Sequence, residues 1–244
     1  MTASHPSRRF PTTTWSLIQA AKNRDDSEYF AAMNQFITAY WKPVFYFLRA
    51  KGHPLHHAED LTQDFFTRLL DRDWIRPADP RRGRFRSFLL RVLVRFLSDQ
   101  GTIRGPRQRT FEKRLLSIDR LIGDDERVYE PATDERPEDI FMKQWAAALV
   151  ENVRLQLRQH CESQGHANWF EIFRAMYCSA SDTKRVSQQA LADELGISRD
   201  QVRYALEQTT KWFRHLLRRE VRDQIGSQAN VGDEIHELMS RLGK

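Results

Sequence analysis

The 244-residue sequence predicts an all-α protein built from two small helical domains joined by a flexible linker. Three observations carry that expectation. Apolar residues recur with a period near 3.6 along most of the chain, while the alternation expected of strands is almost absent, which gives about nine helices and no sheet. Residues 101–136 then interrupt the pattern with Gly101, Gly105-Pro106, Gly123-Asp124-Asp125 and Pro131, residues that end helices and make turns. The charge also changes sign there. Residues 1–110 hold 19 Lys and Arg against 10 Asp and Glu, a net of +9, whereas residues 111–139 hold five against ten, a net of −5. A stretch this long without regular structure belongs between domains more often than inside one. The expected organisation is therefore domain one at 10–100, a linker at 101–136 carrying a short helix near 111–121, domain two at 137–225, and an extension at 226–244 with an amphipathic helix.

Composition narrows the class. Charged residues make up 30% of the chain and the net charge is +6, a balance that suits a polyanionic partner. No apolar run approaches the roughly 18 residues of a membrane span, so no membrane insertion is expected. The first fourteen residues lack the apolar core of a signal peptide. Cys161 and Cys178 are the two cysteines, too few for a disulfide framework and suited to a reducing compartment. The expected location is cytoplasmic.

In domain one, Ala58-Glu59-Asp60-Leu61-Thr62-Gln63-Asp64-Phe65-Phe66-Thr67-Arg68-Leu69-Leu70 reads as an amphipathic helix. Leu61, Phe65, Leu69 and Leu70 point inward, and Glu59, Asp60, Gln63 and Asp64 form an acidic, amide-bearing outer face. Asp60 and Asp64 lie one turn apart, but no second acidic motif completes a set of hard-cation ligands. That face suits docking to a protein or plain solvation. His53, His56 and His57 cluster just before it and fit surface or capping roles better than a zinc site.

A basic turn, Pro80-Arg81-Arg82-Gly83, precedes a second amphipathic helix over 84–99. Phe85, Phe88, Leu89, Val92 and Phe96 form the expected inward stripe, with Arg84, Ser87, Arg91, Arg95 and Ser98 outward. Such a face meets a membrane surface, a partner helix or nucleic acid, or is simply solvated above an aromatic core. Arginines beside aromatic rings suit single-stranded DNA, where guanidinium groups hold phosphates and rings stack on bases. Pro137, Glu138 and Asp139 open the following helix, as proline and acidic residues favour a first turn. Its apolar stripe is Phe141, Trp145, Ala148, Leu149 and Val153.

The sharpest local signal is the segment from Gln188 to Leu206. Leu191, Ala192 and Leu195 face inward from a first helix, Gly196 turns the chain through positive φ, and Ser198 with Gln201 forms a capping box. Val202 and Leu206 anchor the second helix. This is a helix-turn-helix, whose second helix lies in the major groove with its early residues at base edges. Arg199, Gln201, Arg203 and Tyr204 are the outward candidates, since Arg pairs bidentately with guanine and Gln with adenine. Lys211, Arg214, Arg218 and Arg219 follow as phosphate holders. After Gly226, Val231, Ile235, Leu238, Met239 and Leu242 recur at helical spacing and are expected to pack on the protein itself or to serve a partner.

These elements, in this order, resemble the extracytoplasmic-function (ECF) sigma factors of bacterial RNA polymerase. The match rests on the 58–66 motif, on Gly83-Arg84-Phe85-Arg86-Ser87-Phe88-Leu89 through Asp99, and on the helix-turn-helix with its basic tail. Phe10-Pro11-Thr12-Thr13 with Trp15 looks like the opening of a planctomycete-type subgroup. The resemblance implies an alternative sigma factor with no cofactor, bound metal or catalytic residue. It implies core RNA polymerase (the β′ clamp and β flap) and promoter DNA as partners, and members of the class often have an anti-sigma factor. Glu59, Asp60, Gln63 and Asp64 would dock on the polymerase. Arg81, Arg82, Arg84, Phe85, Ser87, Phe88, Arg91, Arg95 and Asp99 would melt and read the −10 element. Ser198, Arg199, Gln201, Arg203, Tyr204, Lys211 and Arg214 would read the −35 element as duplex. The chain departs from the family at Phe88, where Trp is usual, at Arg95, where Asn is common, and at Gln208-Thr209-Thr210-Lys211, which is less basic than the usual run.

The alternative reading is a stand-alone helix-turn-helix repressor or activator. It explains the segment from Gln188 to Leu206 equally well but leaves the basic aromatic helix and the acidic face without a role. A nucleic-acid enzyme needs an activated nucleophile or a metal-binding carboxylate set. The sequence holds no Gly-rich phosphate loop, no HExxH and no paired CxxC, and an enzyme is not expected.

Overall fold

In the computed structural model, residue 18 and residues 27–71, 74–100, 135–178, 186–225 and 230–243 are described. The expected linker up to residue 134, its short helix and the opening motif at residues 10–15 lie outside the described residues. The described chain is all-α and contains no strand: α1 (Ser27–Ala50), α2 (Leu55–Asp71), a 3-10 turn (Pro80–Arg82), α3 (Phe85–Gln100), α4 (Pro137–Ser163), α5 (Ala167–Tyr177), α6 (Gln188–Leu195), α7 (Arg199–Gln224) and α8 (Val231–Leu242). No described helix is long and apolar enough to cross a membrane.

The chain divides into two compact units. One extends to Leu149 and resumes at Val221, and the other is Val150–Glu220. The divisions fall inside α4 and α7, so each of these helices contributes a segment to each unit. The span read from sequence as domain two began at Pro137, whereas the first turns of α4 pack in unit one.

Unit one is organised by aromatic residues. Phe36 of α1 meets Tyr40, Phe66 and Phe85 at ring separations of 5.1, 5.9 and 5.6 Å. Phe65 of α2 meets Phe96 of α3 edge-on at 5.5 Å, and the Arg68 guanidinium lies over the Phe96 ring at 5.3 Å. Edge-to-face rings at these distances gain on the order of 1 kcal/mol beyond their burial. Phe141 brings α4 to this core against Phe47 at 6.4 Å. Nearby, Trp145 Nε1 donates to Gln224 Oε1 at 3.0 Å. Pro43 sits inside α1, where it removes one backbone donor. The helix persists because Trp41, Val44, Phe45, Phe47 and Leu48 around it are buried, and tertiary packing overrides propensity.

The inward stripe of α3 runs through Phe85, Leu89, Leu93 and Phe96, all buried, while Phe88 and Val92 are half-buried. Leu93 therefore takes the place that the sequence reading gave to Phe88 and Val92. Leu61, Phe65, Leu69 and Leu70 of α2 are buried as expected, joined by Ala58, Thr62 and Phe66.

Unit two has two apolar clusters. One gathers Ile172 of α5, Leu191 and Ala192 of α6, and Val202, Ala205 and Leu206 of α7. The other gathers Leu157, Cys161, Phe170 and Phe173 with Trp212, Phe213 and Leu216 against it. Trp169 touches both. Its ring stacks on His166 at 3.9 Å and on Trp212 at 5.6 Å. Burial pushes the Cys161 thiol up to about 11, so it behaves as a small core residue. A polar connection ties α4 to α7: Gln156 Nε2 donates to Glu220 Oε2 at 3.1 Å, and Arg219 Nη2 donates to Gln156 Oε1 at 2.6 Å.

Candidate nucleic-acid interface

In unit two the helix-turn-helix is fixed by its ends. Ser187 Oγ accepts from Ala190 N at 3.1 Å and starts α6. Gly196 closes it at φ 65°, ψ 32°, a left-handed conformation that costs glycine nothing. The carbonyl of Ala192 then accepts from both Gly196 N and Ile197 N, the latter at 3.0 Å. The expected capping box is reciprocal. Gln201 N donates to Ser198 Oγ at 3.2 Å, and Ser198 N donates to Gln201 Oε1 at 2.8 Å. Ser198→Ala is expected to destabilise unit two by about 1 kcal/mol (roughly 0.5–2). Urea unfolding of the full chain checks it, and an unchanged midpoint would mean that the cap is dispensable.

Past the cap, Arg199, Gln201, Arg203 and Tyr204 are exposed in the first two turns of α7. Three of them carry intramolecular ties. Gln201 gives its amide oxygen to the cap, which leaves its N–H donors for a base and conflicts with a bidentate adenine contact. Arg203 pairs with Asp200 at 3.1 Å. Tyr204, 55% exposed, rests edge-on against Trp169 at 5.7 Å. Further along, Lys211 donates to Glu207 at 2.7 Å, a bond that holds the Glu207 carboxyl below the usual carboxylate range. Arg214 and Arg218 are exposed. Arg219 is half-buried and donates through Nη2 to Gln156 Oε1. Leu195, expected inside, is 39% exposed because the chain turns away at Gly196 directly after it.

In unit one the basic turn is organised by Asp79. Its carboxylate accepts from Arg81 N at 2.9 Å, Arg81 Nε at 3.2 Å and Arg81 Nη2 at 3.3 Å. Those bonds hold Asp79 below the usual carboxylate range. Gly83 ends the turn at φ 119°, a backbone conformation that side-chain-bearing residues rarely adopt. An open cavity of about 520 Å³ is lined by Arg76, Pro77, Ala78, Asp79, Pro80, Arg81 and Arg82. On α3 itself Arg91, Arg95 and Ser98 are exposed, and Ser87, Phe88 and Asp99 are half-buried. Phe85 lies in the core against Phe36 and Tyr40, so it serves to seat the helix and is not on the surface to stack on a base.

The start of α3 holds what the sequence reading missed. Arg84 pairs with Glu234 at 2.6 Å and with Glu237 at 2.7 Å, both on α8. Arg86, assigned no role from sequence, pairs with Glu234 and lies over the Trp145 ring at 4.1 Å. Arg86 is only 3% and Glu234 only 1% exposed. Burial pushes the Arg86 guanidinium down, against the pull of Glu234. A signal was present: Arg86 shares the helical phase of Leu89 and Leu93, and Glu234 that of Val231 and Leu238, so each charge stands on an apolar stripe. The extension thus packs within unit one, against the start of α3, with Leu238 buried.

On α2, Asp60 is exposed and Gln63 half-buried. Asp64 accepts from Arg68 Nε at 3.0 Å, and Glu59 from His56 at 3.2 Å if that ring nitrogen carries the proton. The rings of His53 and His57 meet at 5.1 Å, and burial together with His57 lowers the His53 pKa. Among the described residues no group of three or more His, Cys, Asp or Glu is placed to hold a metal ion. Comparison with protein-family models, curated proteins and solved structures finds no match to this chain.

Proposed function

We propose that this chain is an alternative sigma factor of the extracytoplasmic-function type, which binds core RNA polymerase, directs it to promoters and opens them. The observation that carries the reading is the presence, in one chain, of a helix-turn-helix capped at its turn and a separate helix that exposes Arg91 and Arg95 and leaves the ring of Phe88 half-buried. Duplex and opened DNA call for these two kinds of surface: a helix that enters an intact major groove, and a cationic face beside rings for unpaired strands. A lone repressor has use for the first only.

The roles follow residue by residue. Arg199, exposed at the first turn of α7, is the best-placed base reader for the −35 element, with Arg203, Tyr204 and the donors of Gln201 beside it. Ser198 shapes the turn, and Lys211 and Arg214 reach toward phosphates. The turn at Arg81 and Arg82, and the face of Ser87, Phe88, Arg91, Arg95 and Asp99, handle the −10 element. Asp60 and Gln63, with Glu59 and Asp64 at their edges, meet the β′ clamp, and unit two meets the β flap. The chain is not an enzyme on this reading and takes no cofactor, and its place of work is the cytoplasm.

Run-off transcription with purified core polymerase and a promoter library tests it. Discrete start sites are expected only when the chain is added, together with its co-elution with core polymerase. A chain that does not bind polymerase and footprints duplex DNA by itself would instead be a helix-turn-helix repressor or activator.

A further inference from the structure

α8 is held to unit one less by apolar contact than by charge. Leu238 is its one buried apolar residue among those described, while Val231, Ile235 and Leu242 are half-buried and Met239 is 52% exposed. Glu234 and Glu237, one helical turn apart, take up the two guanidinium groups at the start of α3. Arg241 steadies Glu237 at 3.1 Å and reaches Asp139 of α4 at 3.6 Å.

The pairing is buried yet incompletely satisfied. Arg86 Nη1 is buried without a hydrogen-bond partner among the described residues, while Glu234 lies against both guanidinium groups. Buried ion pairs roughly break even, because desolvation offsets their attraction. A pair buried this deeply is therefore no strong fastening for α8. When α8 departs, Arg84 and Arg86 lose their carboxylate partners, next to Arg81 and Arg82 on the preceding turn. Such a group suits the oxygens of a phosphodiester backbone, since guanidinium forks match phosphate as well as carboxylate.

We infer that α8 is an intrachain competitor: its two carboxylates occupy the anion site of Arg84 and Arg86, and single-stranded nucleic acid takes that site only when α8 leaves. The inference rests on the reading of α3 as a DNA-gripping helix. It adds that the resting chain covers one end of that helix, so that its apparent affinity is reduced by the fraction of molecules in which α8 has opened.

The test uses the full chain and a fluorescent mixed-sequence single-stranded oligodeoxynucleotide, followed by anisotropy. Glu234→Gln should tighten binding about tenfold, in the range of ordinary intramolecular coupling. Asp233→Asn removes the same charge from the neighbouring exposed position and should change binding less than about twofold, since it breaks no α8 contact and alters only screened surface charge. A second measurement needs no variant: oligonucleotide added to the wild-type chain should speed hydrogen exchange at the amides of residues 231–242. Equal tightening by both substitutions, with exchange in α8 unchanged, would overturn the competitor role. If binding is then still weakened by Arg91→Ala with Arg95→Ala, the reading of α3 survives without it. Absence of oligonucleotide binding in every variant would overturn both.

Discussion

Phe36→Ala is expected to cost about 3–5 kcal/mol, the usual range for removing a fully buried phenyl ring. Typical domains have only about 5–15 kcal/mol in all, so the loss is a large part of the margin. The reason is position. Phe36 is fully buried and touches rings from α1 (Tyr40), α2 (Phe66) and α3 (Phe85), so one truncation opens a cavity shared by three helices. Phe36→Leu keeps much of the volume and should cost markedly less, because volume-conserving apolar exchanges are the best tolerated. Denaturant unfolding followed by circular dichroism checks both. The ring seats the first residue of α3, so the variant should also lose oligonucleotide binding in step with its folded fraction. A loss under about 1 kcal/mol would contradict the packing described, since such values belong to surface sites or easily collapsed ones.

Much of this architecture was legible in the sequence, and the misses have physical causes. The helix-turn-helix was readable because its determinants are local. Ser198 and Gln201 are three residues apart, Gly196 needs only its own backbone freedom, and Val202 and Leu206 are one turn apart. Helical period marks an apolar face but not its centre when apolar residues are in excess, and α3 reads Phe-Leu-Leu-Arg-Val-Leu-Val in its middle. Leu93, Val92 and Phe88 thus competed for one stripe, and packing against Phe65 and Phe36 decided it. Leu195 failed for a different reason: the last residue of an eight-residue helix has no following turn to hold it inward.

The ion pairs of α8 were out of reach in kind. Arg84 and Glu237 are 153 residues apart, and nothing in either neighbourhood names the other. The phase of Arg86 and of Glu234 was visible, but not the partner of either. The consequence for the candidate site is specific. Of the arginines expected to face DNA from the start of α3, Arg84 is engaged, whereas Arg91 and Arg95 further along the helix are exposed.

Arg91→Ala with Arg95→Ala should therefore carry the largest functional loss: promoter opening should fall while binding to core polymerase is kept. Both side chains stand one turn apart on the exposed face of α3, and their replacement should leave folding stability within about 0.5 kcal/mol. Each arginine that holds a phosphate of unpaired DNA releases counterions and contributes about 0.7 to the slope of log affinity against log salt. Losing both should lower that slope by about 1.4, a signature that a merely structural role would not produce. On the proposed reading polymerase docking falls to other residues, Asp60 and Gln63 of α2, so co-elution with core polymerase should not change. Permanganate reactivity of thymines around the start site reads opening directly. Wild-type reactivity and an unaltered salt slope in the double variant would remove α3 from the DNA path and leave the helix-turn-helix as the chain's DNA contact.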